Sequence, residues 1–113
     1  MKLFALAAVA AALAVPSAQA STPTLVGTVG PGFTITLTKG GKKFKTLKAG
    51  TYVVKVKDLA DDHNFHLKGP GVDKKTSTKA KESKTWKVKL VAGKYRFVCD
   101  PHKTFMKGSF TVS

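Results

Sequence analysis

The sequence predicts an all-β chain, folded as a single-domain antiparallel β-sandwich or barrel of seven to eight strands. Three observations predict it. From Thr24 onward the apolar residues recur with a period of two, turn signals punctuate them at short intervals, and no segment carries a convincing helical period. Phe33, Ile35 and Leu37 alternate with threonines, Val54 and Val56 with Lys55 and Lys57, and Trp86, Val88 and Leu90 with Lys87 and Lys89. Residues two apart along a strand share a face, so each run reads as a strand with one buried side. The breaks are Gly30-Pro31-Gly32, Gly40-Gly41, Ala49-Gly50, Gly69-Pro70-Gly71 and Ala92-Gly93.

Taken in order, the chain begins with Lys2, an apolar run from Leu3 to Val15, and Pro16-Ser17-Ala18-Gln19-Ala20, which ends in an A-x-A cleavage signal. This is the pattern of a secretory signal peptide over residues 1–20. The apolar run falls short of the roughly 18 to 20 residues that span a bilayer. The expectation is therefore an exported protein, periplasmic or secreted, whose folded domain covers residues 21–113. A domain of that size holds one core that buries about 60–65% of its unfolded surface. Strands are expected near Leu25 to Val29, Phe33 to Thr38, Thr51 to Lys57, Asn64 to Lys68, Thr85 to Leu90, Tyr95 to Cys99 and Gly108 to Val112. A weaker one is expected near Lys75 to Thr78. The stretch Asp73 to Lys84 is too rich in Lys, Ser and Thr to assign as a whole.

Charge bounds the partners. Twenty Lys and Arg stand against six Asp and Glu, for a net charge of +14, or +13 once Lys2 is removed. Self-repulsion on this scale favours a monomer and acidic partners or surfaces, and it leaves the fold undetermined. Outward lysines also discourage edge-to-edge strand pairing. The basic residues are not interleaved with aromatics in a nucleic-acid motif, which argues against specific nucleic-acid binding. A basic polyanion-binding β-domain stays as one alternative function.

The chemistry gathers in Tyr95 to Val112. This stretch holds the only cysteine, Cys99, together with His102 and Met106. A lone cysteine in an exported protein has no disulfide partner within its chain, and a metal would occupy it. Tyr95, Phe97 and Cys99 share one face of their strand, so the thiol sits at its core-facing end. The loop to the next strand brings Cys99, His102 and Met106 to one pole. Thiolate, imidazole and thioether suit copper; zinc, the rival, prefers a tetrahedron closed by a fourth strong ligand. A second imidazole must come from elsewhere, and His63 and His66 are the candidates. Three residues apart, they face opposite ways on a strand, so at most one joins the site easily. His63 shares the apolar face of Phe65 and Leu67 and is favoured. His66 shares its face with Asn64 and Lys68 and reads as a surface histidine, with a ligand role as the alternative to His63.

With His63-Asn64 at the start of a strand and the run Cys99-Asp100-Pro101-His102-Lys103-Thr104-Phe105-Met106, the chain resembles the cupredoxins, the small blue copper proteins of the plastocyanin, pseudoazurin and azurin family. The likeness covers Leu25 to Val112. It implies a Greek-key sandwich holding one type 1 copper, with His63, Cys99 and His102 as strong ligands and Met106 as the weak axial one. It implies that Asn64 ties the two ligand segments together behind the cysteine. It also implies that His102 exposes its edge as an electron port, rimmed by Phe105 and ringed by Lys103 and Lys107, the expected docking residues. The function that follows is one-electron transfer between redox proteins without substrate turnover, the partner presenting an acidic docking surface. A copper carrier or scavenger outside the cytoplasm would use the same ligands. The three residues between His102 and Met106 form a loop between the shorter and longer ones of the family, so the axial distance and the potential do not carry over.

Overall fold

The computed structural model describes residues 21–113; the expected signal peptide, residues 1–20, lies outside the described residues. Ten strands follow one another: β1 (Thr24–Val29), β2 (Ile35–Lys39), β3 (Lys42–Lys43), β4 (Thr46–Leu47), β5 (Gly50–Asp58), β6 (His66–Gly69), β7 (Val72–Lys75), β8 (Glu82–Leu90), β9 (Gly93–Val98) and β10 (Lys107–Val112). They form two five-stranded sheets, ordered β3-β2-β1-β5-β8 and β4-β10-β9-β6-β7. The architecture is the expected β-sandwich. The count exceeds seven to eight because the two-residue strands β3 and β4 are too short to show an alternating pattern; β7 forms earlier than the weak strand expected near Lys75 to Thr78. Among the described residues the one helical turn is a 3₁₀ turn at Asp100–His102, and no helix is long and apolar enough to cross a membrane.

Each sheet is mostly antiparallel but carries one parallel pair, β1 with β5 and β4 with β10. Both pairs bring together strands that are distant in sequence, which needs a crossover rather than a hairpin. The period-two pattern does its work in β5, where Tyr52, Val54, Val56 and Asp58 are buried and Thr51, Lys55 and Lys57 are exposed. Leu25, Val29, Leu37, Val54, Val56, Val88 and Leu90 from the first sheet meet Phe65, Leu67, Tyr95, Phe110 and Val112 across the core. Aromatic packing fixes the spacing on the second sheet's side. Phe65 stacks on Phe97 with ring centroids 5.8 Å apart, and Tyr95 on Phe110 at 5.3 Å. Gly27 in β1 makes room for this cluster: a Cβ there would stand 2.7 Å from Phe65 Cζ.

Phe33 departs from its expected place. The sequence puts it on a half-buried strand with Ile35 and Leu37, but β2 starts at Ile35, and Phe33 lies 64% exposed in the connection that follows Gly30. Gly30 has a positive φ of 77°, a conformation that few side-chain-bearing residues adopt, and the turn it makes carries Phe33 out of the strand line.

Candidate metal centre

At the pole where β9 ends, the 3₁₀ turn carries Cys99 into His102. The Cys99 carbonyl accepts from the His102 N–H at 3.0 Å, and the Cys99 N–H donates to the Met106 carbonyl at 3.0 Å. Met106 N–H closes back on the His102 carbonyl at 2.8 Å, so the eight residues from Cys99 to Met106 form a tight, self-bonded loop. Pro101 sits in the first turn of this element, where its missing N–H leaves no bond unmade. Cys99 and Met106 are buried, and His102 is half-buried.

His63 arrives from the segment before β6 and is 1% exposed. The three side chains converge: His63 Nδ1 and His102 Nδ1 are 3.2 Å apart, and Cys99 Sγ lies 3.7 Å from the first and 3.6 Å from the second. The centre of that triangle is about 2.0 Å from each atom, inside the ~2.0–2.3 Å range of imidazole and thiolate bonds to a zinc-sized ion. Two imidazole nitrogens and a sulfur aimed at one point, in a buried setting, fit a single metal ion. Burial pushes the Cys99 thiol above its ordinary value, with the Asn64 N–H, 3.5 Å from Sγ, acting in the opposite direction. Thiolate binding to a metal releases that proton.

Asn64 holds the two ligand segments in register. Its side-chain oxygen accepts from the Asp100 N–H at 2.8 Å, and its amide donates to Asp100 Oδ2 at 2.9 Å and to the Thr76 carbonyl at 3.3 Å. Thr76, expected on the weaker strand near Lys75 to Thr78, lies just past the end of β7 and was given no part in the site. It is 4% exposed, its hydroxyl accepts from the Phe65 N–H at 2.8 Å, and it donates to Asp58 Oδ2 at 2.7 Å. The strand end carrying Asp58 is thus bonded to the segment carrying His63. Burial raises the Asp58 carboxyl above its ordinary value, against the hydrogen bonds from Thr76 and the Ala60 N–H.

His66 is not in the cluster, and it is not a surface histidine either. It is 7% exposed, with Nδ1 2.9 Å from Asp100 Oδ1 and Nε2 2.6 Å from Asp73 Oδ1. Its face of the strand points away from the core, as the alternation requires, but the two carboxylates cover it. Period-two reading assigns a face; it carries no information on what folds over that face.

Around the pole, Phe105 is 59% exposed. Phe33, which the sequence reading did not place here, lies against both imidazoles, with ring centroids 5.3 Å from His63, 5.2 Å from His102 and 5.8 Å from Phe105. The Gly30-Pro31-Gly32 turn beside an exposed aromatic was its only signal. Lys103 and Lys107 are exposed beside the pole and line a groove of about 620 Å³ with Lys94, Arg96, Thr104, Gly108 and Ser109.

Residues 34–113 match the family described as copper binding proteins, plastocyanin/azurin family. No curated protein matches the chain. Among solved structures, rusticyanin from Thiobacillus ferrooxidans is 26% identical over 84% of this chain and 79% of its own, with a TM-score of 0.55. Reduced rusticyanin aligns at 24% identity over 85% and 82% of the two chains, with a TM-score of 0.57. Auracyanin from Roseiflexus castenholzii aligns at 19% identity over 83% and 99%, with a TM-score of 0.56, and shares the fold.

Proposed function

The chain belongs to the plastocyanin/azurin family of copper-binding proteins, and on that premise we propose that it is an exported one-electron carrier whose His63, Cys99 and His102 hold one copper ion. The observation that carries the reading is the triangle of Nδ1, Nδ1 and Sγ atoms, 3.2 to 3.7 Å on a side. Two imidazoles and a thiolate are the strong donors of a blue-copper site, and Met106, buried at the end of the same loop, would offer the ion a weak thioether. Bound there, copper supplies a one-electron Cu(II)/Cu(I) couple.

The chain's own residues do the rest. The Asn64 and Thr76 hydrogen bonds hold the His63 segment and the Cys99 loop in one geometry, so the donors need not move when the charge of the site changes. Phe33, Phe105 and Met106 exclude water from the imidazoles and sulfur, and the low polarity of that shell tunes the potential. His102, half-buried, is the ligand that a partner reaches, with Phe105 and Phe33 as the apolar contact and Lys103 and Lys107 as the basic ring for an acidic docking surface. No open coordination position with an adjacent base is called for, because the reading assigns no substrate turnover.

The test is a titration of the reduced protein, residues 21–113, with Cu(II), followed by visible absorption and electron paramagnetic resonance. An intense blue band with narrow copper hyperfine splitting at one copper per chain is expected. A colourless product would remove Cys99 from the ligand set and the electron-transfer reading with it.

A further inference from the structure

His66 is the one histidine outside the metal cluster, and its surroundings are specific. Both oxygens of Asp100 lie within reach of its Nδ1, at 2.9 and 3.0 Å, and Asp73 Oδ1 is 2.6 Å from its Nε2. Each ring nitrogen thus faces a carboxylate acceptor. The hydrogen bond from His66 holds the Asp73 carboxyl below its ordinary value. In the sheet, His66 stands opposite Val98 on one side and Lys75 on the other, one residue along β9 from Cys99. Asp100, on the far side of Cys99, is therefore gripped by Asn64 at its N–H and Oδ2 and by the His66 ring at both oxygens.

We propose that His66 is a positioning residue for the metal loop: clamped between Asp73 and Asp100, it fixes the turn from Cys99 to His102. The clamp stands on the metal-free protein, and its bearing on the metal rests on Cys99 and His102 being copper ligands.

Removing the ring frees the Asp100 side chain on one flank, and the short turn it anchors opens more often. In metal-free protein, His66→Gln should speed hydrogen exchange at the Asp100 and His102 amides by about tenfold, the scale of one lost charge-assisted bond, while the Val54 amide in the other sheet exchanges unchanged. Asp73→Asn, at a 72% exposed side chain where folding is not at stake, should speed the same two amides by a few-fold, about a third of that effect or less. In copper-loaded protein, His66→Gln should keep the blue band but change its copper hyperfine splitting, because the loop that carries Cys99 and His102 is held less firmly. Exchange that is unchanged, or that speeds equally at Val54, overturns the clamp. A splitting identical to the parent's overturns the positioning of the metal loop. Local opening in His66→Gln together with failure of the unaltered protein to form a blue site would support the clamp and instead sink the copper reading.

Discussion

Phe33 stands exposed against two imidazoles, one buried and one half-buried, where it can shield them from water. Phe33→Ala should leave the blue band in place but speed copper loss to a chelator, on the order of tenfold, since stripping requires a competing ligand to reach the site; equal loss rates would show that the ring shields nothing. His63→Ala should abolish the band, whereas His66→Ala should keep it. The reverse would mean that the ligand histidine had been drawn from the wrong face. The convergence of Cys99 and His102 was legible because they are three residues apart in a turn; His63 was chosen by the strand face of Phe65, but it reaches the site from the fully buried segment before β6 rather than from a strand. Phe33 and Thr76 were not legible. Phe33 reaches the site by leaving a strand line that the alternation had extended through it, and Thr76 matters through bonds to Asp58, Asn64 and Phe65, contacts that no local pattern encodes.

The hairpin of β6 and β7 and the turn before β9 are joined by one hydroxyl. Tyr95 Oη donates toward the Val91 carbonyl at 2.9 Å and the Pro70 carbonyl at 3.3 Å, and accepts from the Val91 N–H at 2.9 Å. Tyr95→Phe keeps the ring stacked on Phe110 and removes those bonds, so it should cost about 1–2 kcal/mol in urea unfolding. A loss below a few tenths would show the corner to be held by packing alone. In β1, Gly27→Ala must push against the Phe65 ring and should cost about 1–3 kcal/mol. The same hairpin carries an acid sensitivity. Because the folded protein holds Asp73 below its ordinary value of 3.8, the stabilisation is fully present above that value and is lost as pH falls through the lower, folded one. Asp73→Asn should therefore show a shallower loss of stability below pH 3.8 than the parent, measured by urea midpoints; parallel curves would remove the linkage. At this scale the long strands β1, β5, β8, β9 and β10 were readable from period two, whereas β3, β4 and the pairing of β1 with β5 were not, because two residues show no period and alternation is silent on which strands pair.

Across the whole molecule, charge is abundant and mostly unpaired: among the described residues Lys84, 3.7 Å from Glu82, is the one lysine or arginine in an ion pair. If Lys103 docks an acidic partner, Lys103→Glu should slow association at low salt by about tenfold, and the difference should vanish as salt rises; an unchanged on-rate in stopped-flow mixing would move docking off the pole. The order in which the sheets use the chain has a further consequence. Every strand of the sheet β3-β2-β1-β5-β8 lies before residue 91, whereas the other sheet needs β9 and β10, which end at Val112. A chain made from its N-terminus therefore completes one layer while its inner face of Leu25, Val54 and Val88 still lacks the cover of Tyr95, Phe110 and Val112, the condition in which half-built β proteins stick to one another. Cys99, His102 and Met106 are also the last of the candidate site to appear, so the pole is assembled only when the final hairpin is made.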